Sequence, residues 1–224
     1  MSIIAIHLHG YNVNDYRHTA GKMDEVFDAK GVRSFALVYH ADTLREARKI
    51  NRDTANRLAE FILTGQEEGH TVIVTAHSNG NTILRMAWDE YQASPSVAVC
   101  IQPALPSDIN PSPDAEKVCV VWNPDDWVVR HGKILTWVLN KINPELVVSR
   151  NWGQMGRTGY TGNDLNVGSL NSMVGFPAKA RGHSGIFKGA AAKVFLPYLA
   201  DWAINEAIRI KQKTKIGDTI NAIY

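Results

Sequence analysis

The chain has 224 residues, of which 45% are apolar and 21% charged, with a formal net charge of +2. This is ordinary composition for a globular protein, and the length is enough to bury a substantial core. The weak net charge without a dense Lys/Arg run argues against a nucleic-acid partner. No window reaches the roughly 18 consecutive apolar residues of a membrane span. The opening MSIIAIHLHG lacks the basic region of a secretory leader, so a cytoplasmic protein is expected. Cys100 and Cys119 lie in two separate apolar runs and read as free buried thiols. A disulfide would require those runs to be neighbouring strands with suitable geometry.

Residues 3–9 are apolar and β-branched and stop at Gly10, which reads as a buried strand. Residues 34–40, SFALVYH, read as a second strand. Across 43–69, Leu44, Ala47, Ile50, Ala55, Leu58, Phe61 and Ile62 recur at three- and four-residue spacing, a helix pattern. Residues 71–76 form a third strand whose consecutive apolar residues suit a sheet covered on both faces. A helix follows over 79–91 and a fourth strand over 96–102. Pro103, Pro106, Pro111 and Pro113 then mark an irregular connection. Residues 117–122 are a fifth strand, 131–141 a short helix, and 146–149 a candidate sixth strand. Residues 151–182 are rich in Gly, Asn, Ser and Thr and read as a long surface loop or small hairpin. Residues 189–211 form a long amphipathic helix with basic residues near its end. Strands alternating with helices predict an α/β fold, a mostly parallel sheet with helices on both faces, as one domain over 1–224. In such sheets ligands bind at the C-terminal strand ends. The polar punctuations Gly10-Tyr11, His77-Ser78-Asn79, Asp125-Asp126 and His183 all follow predicted strands.

The sharpest local signal is AHSNG, residues 76–80, between a strand and a helix. It fits G-x-S-x-G with alanine in the first place. A strand-to-helix turn this tight needs small residues on either side of the serine, and it lifts the hydroxyl clear of the sheet. The plain alternative is a helix N-cap, in which Ser78 or Asn79 satisfies orphan amides. A cap alone does not call for Ala76 and Gly80. His77 adjoins the serine, but successive residues point apart, so it is expected to pack or hydrogen-bond beneath the turn.

Strand, AHSNG and helix, with the earlier HLHGYN, resemble the α/β-hydrolase superfamily on its small serine esterase or lipase-like branch. The resemblance runs from Ile3 to about Lys211 and departs from the family in lacking the first antiparallel strands. It implies a serine ester hydrolase with chain order nucleophile, acid, histidine. Ser78 is then the nucleophile. His183, in RGHSGIF just before the last helix, is the base. The acid is Asp125 or Asp126, and the N-P-D-D turn, in which the family's carboxylate is the fourth residue, favours Asp126. The oxyanion donors would be the amides of Asn79 and of Tyr11, which follows His9-Gly10. No metal or organic cofactor is implied, and the partner would be a small-molecule or lipid-like ester. The short PALPSDINPSPDAE, where relatives insert a lid, suits an open site, and Trp127, Trp152 and Tyr160 are candidates for an apolar acyl pocket. Two other readings remain. One is a non-catalytic binding module on the same fold. The other is a metal-dependent hydrolase using His7 and His9, for which the remaining histidines supply no ligand series.

Overall fold

A computed structural model describes residues 2–10, 16–39, 44–130 and 153–221. Its centre is a sheet of β1 (Ile3–Leu8), β2 (Arg33–Leu37), β3 (Thr71–His77), β4 (Val97–Ile101), β5 (Lys117–Trp122) and β6 (Val167–Asn171). The strand order is β2-β1-β3-β4-β5-β6, and every pairing is parallel. The helices are α1 (Ala20–Asp28), α2 (Leu44–Glu67), α3 (Gly80–Tyr91), the short α4 (Trp127–Arg130) and α5 (Gln154–Thr158), and α6 (Gly189–Asn221). All seven residues of β3 and all five of β4 are buried, which is why these segments read as unbroken apolar runs.

Alternate strand residues serve two cores. On one face Ile6, Leu8, Val72, Val74, Ala98 and Val120 pack with Leu58, Ile62, Ile83 and Leu84 of α2 and α3. On the other, Ala5, Ile73, Val99 and Val121 pack with Met23 and Phe27 of α1 and with Phe195, Leu196, Leu199 and Ala203 of α6. Helices therefore cover both faces, as predicted. Among the described residues no helix is long and apolar enough to cross a membrane. Cys100 and Cys119 are free and buried. They lie on neighbouring strands but belong to opposite cores, so the sheet stands between their sulfurs. Burial pushes both thiols up, Cys119 to about 12.

Three regions differ from the sequence reading. α1 was not anticipated between residues 10 and 34, although Ala20, Met23 and Phe27 repeat at helical spacing and bury one face. The polar stretch 151–182, expected as a loop or hairpin, contains α5 and the edge strand β6. β6 is VGSLN, mostly half-buried or exposed, and only its pairing with β5 makes it a strand. α6 contains an internal Pro197 and runs ten residues past the predicted end at 211. The helix expected over 131–141 and the strand over 146–149 lie outside the described residues.

His7 and His77 are buried within β1 and β3. The His7 imidazole sits 4.9 Å from the Phe27 ring, and its Nδ1 is 2.7 Å from Thr75 Oγ1. Burial pulls both imidazoles from 6.5 to about 3, with the neighbouring His183 adding to the effect at His77. A depressed folded-state pKa means that the unfolded chain takes up protons the folded chain refuses. The stability these neutral rings carry is whole above pH 6.5 and is lost as the pH falls toward 3. Each histidine should contribute a slope approaching about 1.4 kcal/mol per pH unit in that window. Urea unfolding at pH 7.5, 6 and 5 reads it directly, and an unmoved midpoint would contradict the buried neutral state. Phe195 is fully buried, its ring 4.0 Å from that of Phe176. Phe195→Ala should cost about 3–5 kcal/mol in the same assay.

Candidate active site

The strand order reverses between β1 and β3, and a crevice opens at the C-terminal edge of a parallel sheet where that happens. Gly10 follows β1 and Ser78 follows β3 at this edge. A Cβ on Gly10 would stand 3.1 Å from Ser78 Cβ and 3.1 Å from His77 Nδ1. On the far side, a Cβ on Gly80 would stand 2.8 Å from Leu8 Cβ and 2.9 Å from the His9 carbonyl. The small residues of the turn thus let α3 start against the end of β1. Ser78 itself has a left-handed backbone, φ 52°. Its amide donates to Ile101 O at 3.0 Å, and its carbonyl accepts from the amides of Asn81 (3.1 Å) and Ala104 (3.2 Å). Asn81 Nδ2 reinforces the bend with bonds to Ala76 O and Ser78 O.

The bend delivers Ser78 Oγ to 2.7 Å from His183 Nε2. His183 Nδ1 lies 2.7 Å from Asp126 Oδ2. Asp126 is fully buried, while the His183 side chain keeps 15% exposure. With Nδ1–H donating to the carboxylate, Nε2 carries a lone pair toward the serine hydroxyl, the tautomer a general base requires. Asp125, the other sequence candidate, is exposed, and its amide donates to Asn123 Oδ1 at 2.9 Å. It lines an open cavity of about 460 Å³ with Pro124, Trp127, Arg181 and Gly182. His77 lies beneath, as expected: its Nε2–H donates to His183 O at 3.0 Å.

Asn79 is the N-cap residue of α3, and its side chain makes no capping bond. It turns sideways instead, pairing reciprocally with the Asn51 amide at 2.9 and 3.1 Å and reaching the Tyr39 hydroxyl at 3.4 Å. The Tyr39 hydroxyl donates to His9 O at 2.5 Å, and the Tyr39 amide donates to His9 Nε2 at 3.2 Å. The His9 ring stacks on Tyr39 at 4.0 Å, and its Nδ1–H donates to Gly10 O at 2.7 Å. This buried network ties the Asn79 side to the end of β1. Tyr11, the second expected oxyanion donor, lies outside the described residues.

His7 and His9 are therefore engaged in internal bonds at Nδ1 and, for His9, at both ring nitrogens. Among the described residues no group of three His, Cys, Asp or Glu side chains is placed to hold a metal. Of the aromatic residues considered for an acyl pocket, Trp127 lines the cavity and is 63% exposed. Tyr160 instead packs against the α2–α3 core with its hydroxyl on Asp164. Trp152 lies outside the described residues. Two supports went unrecognised in the sequence. Gln102 Nε2 reaches Asp126 Oδ2 and Gly182 O, each at 3.0 Å. Asn123 Nδ2 reaches Ala180 O at 2.6 Å and Gly182 O at 3.1 Å. The one sequence signal for both is a polar amide immediately after an apolar strand.

No family model and no curated protein matches the chain by sequence. Solved structures do match. MGS-M1, an alpha/beta hydrolase enzyme from a Medee basin deep-sea metagenome library, aligns with a TM-score of 0.56 at 14% identity, covering 92% of this chain and 84% of that one. Carboxyl esterase 2 from the mycorrhizal fungus Tuber melanosporum aligns with a TM-score of 0.51 at 11% identity, covering 88% and 76%. At such identities the likeness speaks for the fold. Taken with the six parallel strands and the helices on both faces, it shows that this chain has the α/β-hydrolase fold.

Proposed function

We propose that the chain is a serine hydrolase that cleaves a carboxylic ester through an acyl-enzyme. The observation that carries this reading is the unbroken relay from Asp126 through His183 to Ser78, with 2.7 Å at each link. Ser78 Oγ attacks the ester carbonyl while His183 Nε2 takes its proton. Asp126 holds the ring by Nδ1 and stabilises the imidazolium. The carbonyl oxygen becomes an oxyanion, received by the amides of Asn79 and Tyr11. When the C–O bond breaks, His183 returns the proton to the departing alcohol. Water then gives a proton to His183 and attacks the acyl carbon, and collapse releases the acid and restores the Ser78 hydroxyl. These steps draw only on substrate, water and groups of this chain.

A buried carboxylate, a nearly buried imidazole and a hydroxyl on a strained bend support chemistry over passive binding. The left-handed backbone at Ser78 costs about 1–3 kcal/mol, and a plain helix cap would not require it. The ester assignment is supported by the likeness to a carboxyl esterase. The open cavity is lined by Asp125 and Gly182, the chain neighbours of Asp126 and His183, and would take the acyl or alcohol group of a small-molecule or lipid-like ester.

A fluorophosphonate probe should label the wild-type protein and leave Ser78→Ala unlabelled. On p-nitrophenyl esters, Ser78→Ala and His183→Ala should each lower kcat by about 10⁴-fold or more. A chelator should leave the rate unchanged. A folded wild-type protein that takes no label would favour a binding module and sink the hydrolase reading.

A further inference from the structure

Gln102 is the first residue beyond β4, is fully buried, and has a left-handed backbone with φ 43°. Left-handed backbone is unfavourable for a residue with a Cβ. Here it is held by the Gln102 amide donating to Val121 O at 2.7 Å. Gly156 of α5 presses against the same peptide: a Cβ there would stand 2.9 Å from the Gln102 carbonyl carbon. The conformation turns the side chain inward, between Asp126 and the loop that carries His183. Both neighbours of Nε2, a carboxylate oxygen and a peptide carbonyl, are acceptors, so the amide must face them with its NH2 group. Its two protons match these two acceptors.

The stretch 180–183 has no regular structure, and strand-end side chains hold its carbonyls. His77 at the end of β3 takes His183 O, and Asn123 just after β5 takes Ala180 O and Gly182 O. Gln102 also takes Gly182 O, and of these three it alone bonds the Asp126 carboxylate as well. Its Oε1 is buried and finds no partner among the described residues. For packing alone that is a poor choice, because an apolar side chain of the same shape would leave no bare oxygen. What the amide supplies is the NH2.

We infer that Gln102 is a positioning residue, whose single NH2 group sets the Asp126 carboxylate and the His183 loop at a fixed separation and so holds the imidazole on Ser78. The inference rests on the hydrolase reading above. Gln102 touches no reacting atom. It acts through Asp126 and Gly182, and its loss should appear in turnover and not in substrate binding.

Gln102→Met keeps the length and bulk and removes the NH2. On p-nitrophenyl acetate, kcat should fall about 10- to 100-fold while KM stays within about 2-fold, the mark of a misplaced base. Fluorophosphonate labelling of Ser78 should slow in parallel. In an Asp126→Ala background the same substitution should have an effect at least about 3-fold smaller, because one of its two partners is gone. Equal losses with and without Asp126 would indicate a packing defect and overturn the proposal, as would wild-type kcat in folded Gln102→Met. If that variant does not fold, Gln102→Asn replaces it. Asparagine tolerates positive φ and keeps the NH2, but is one methylene too short to span both acceptors. It should show the same loss of kcat at unchanged KM, and wild-type turnover would refute the inference. Unlabelled wild-type Ser78 would strike at the hydrolase reading itself, which separates that failure from one confined to Gln102.

Discussion

The bend at Ser78 is held from both sides of its peptide. Its amide is bonded to the end of β4, and its carbonyl collects donors from the first turn of α3 and from Ala104. These bonds allow a residue with a Cβ to stay in the left-handed region, where isolated chain would relax. The glycines on either side leave no slack. Gly80 packs against Leu8 and the His9 carbonyl, and Gly10 packs against His77 and Ser78. The serine hydroxyl is thus directed by backbone geometry, and its position does not depend on a flexible rotamer alone.

Two buried polar shells flank that bend. One lies under the histidine, where His77, Gln102 and Asn123 dock the carbonyls of 180–183 on the strand ends. The other lies under the helix start, where Asn51, Tyr39 and His9 engage Asn79 and Gly10. Polar groups inside a protein are costly unless paired, and pairing makes them rigid. The two apolar cores above and below the sheet supply stability. The polar groups gather where the strands end and serve orientation instead. Burial also pushes the Tyr39 hydroxyl far above its ordinary range, so it stays a proton donor to His9 O.

The neutral histidines fit the same division. His7 and His9 look like a ligand pair in sequence, yet His7 is spent on Thr75 and His9 on Gly10 and Tyr39. Spacing on a strand did not reveal this, because the partners come from β3 and from the segment after β2. His77 is kept neutral beside His183, so its Nε2–H is free to hold the His183 carbonyl without placing a second positive charge under the imidazolium of the proposed reaction.

The sequence by itself determined the elements that build the two cores. β1, β3, β4 and β5 show as apolar runs, α2 and α3 as periodic stripes, and AHSNG marks the bend, because local composition reports burial and steric need directly. Tertiary structure alone decided the rest. β6 is a strand because β5 is beside it, and VGSLN at a half-exposed edge carries no pattern of its own. Asp125 and Asp126 are chemically equivalent neighbours, and only the turn after β5 sends one to His183 and the other to solvent. Gln102, Asn123 and Asn51 matter through partners tens of residues away. A side-chain amide looks the same in sequence whether it faces water or a carboxylate, so its role appears only when the chain has brought the acceptor to it.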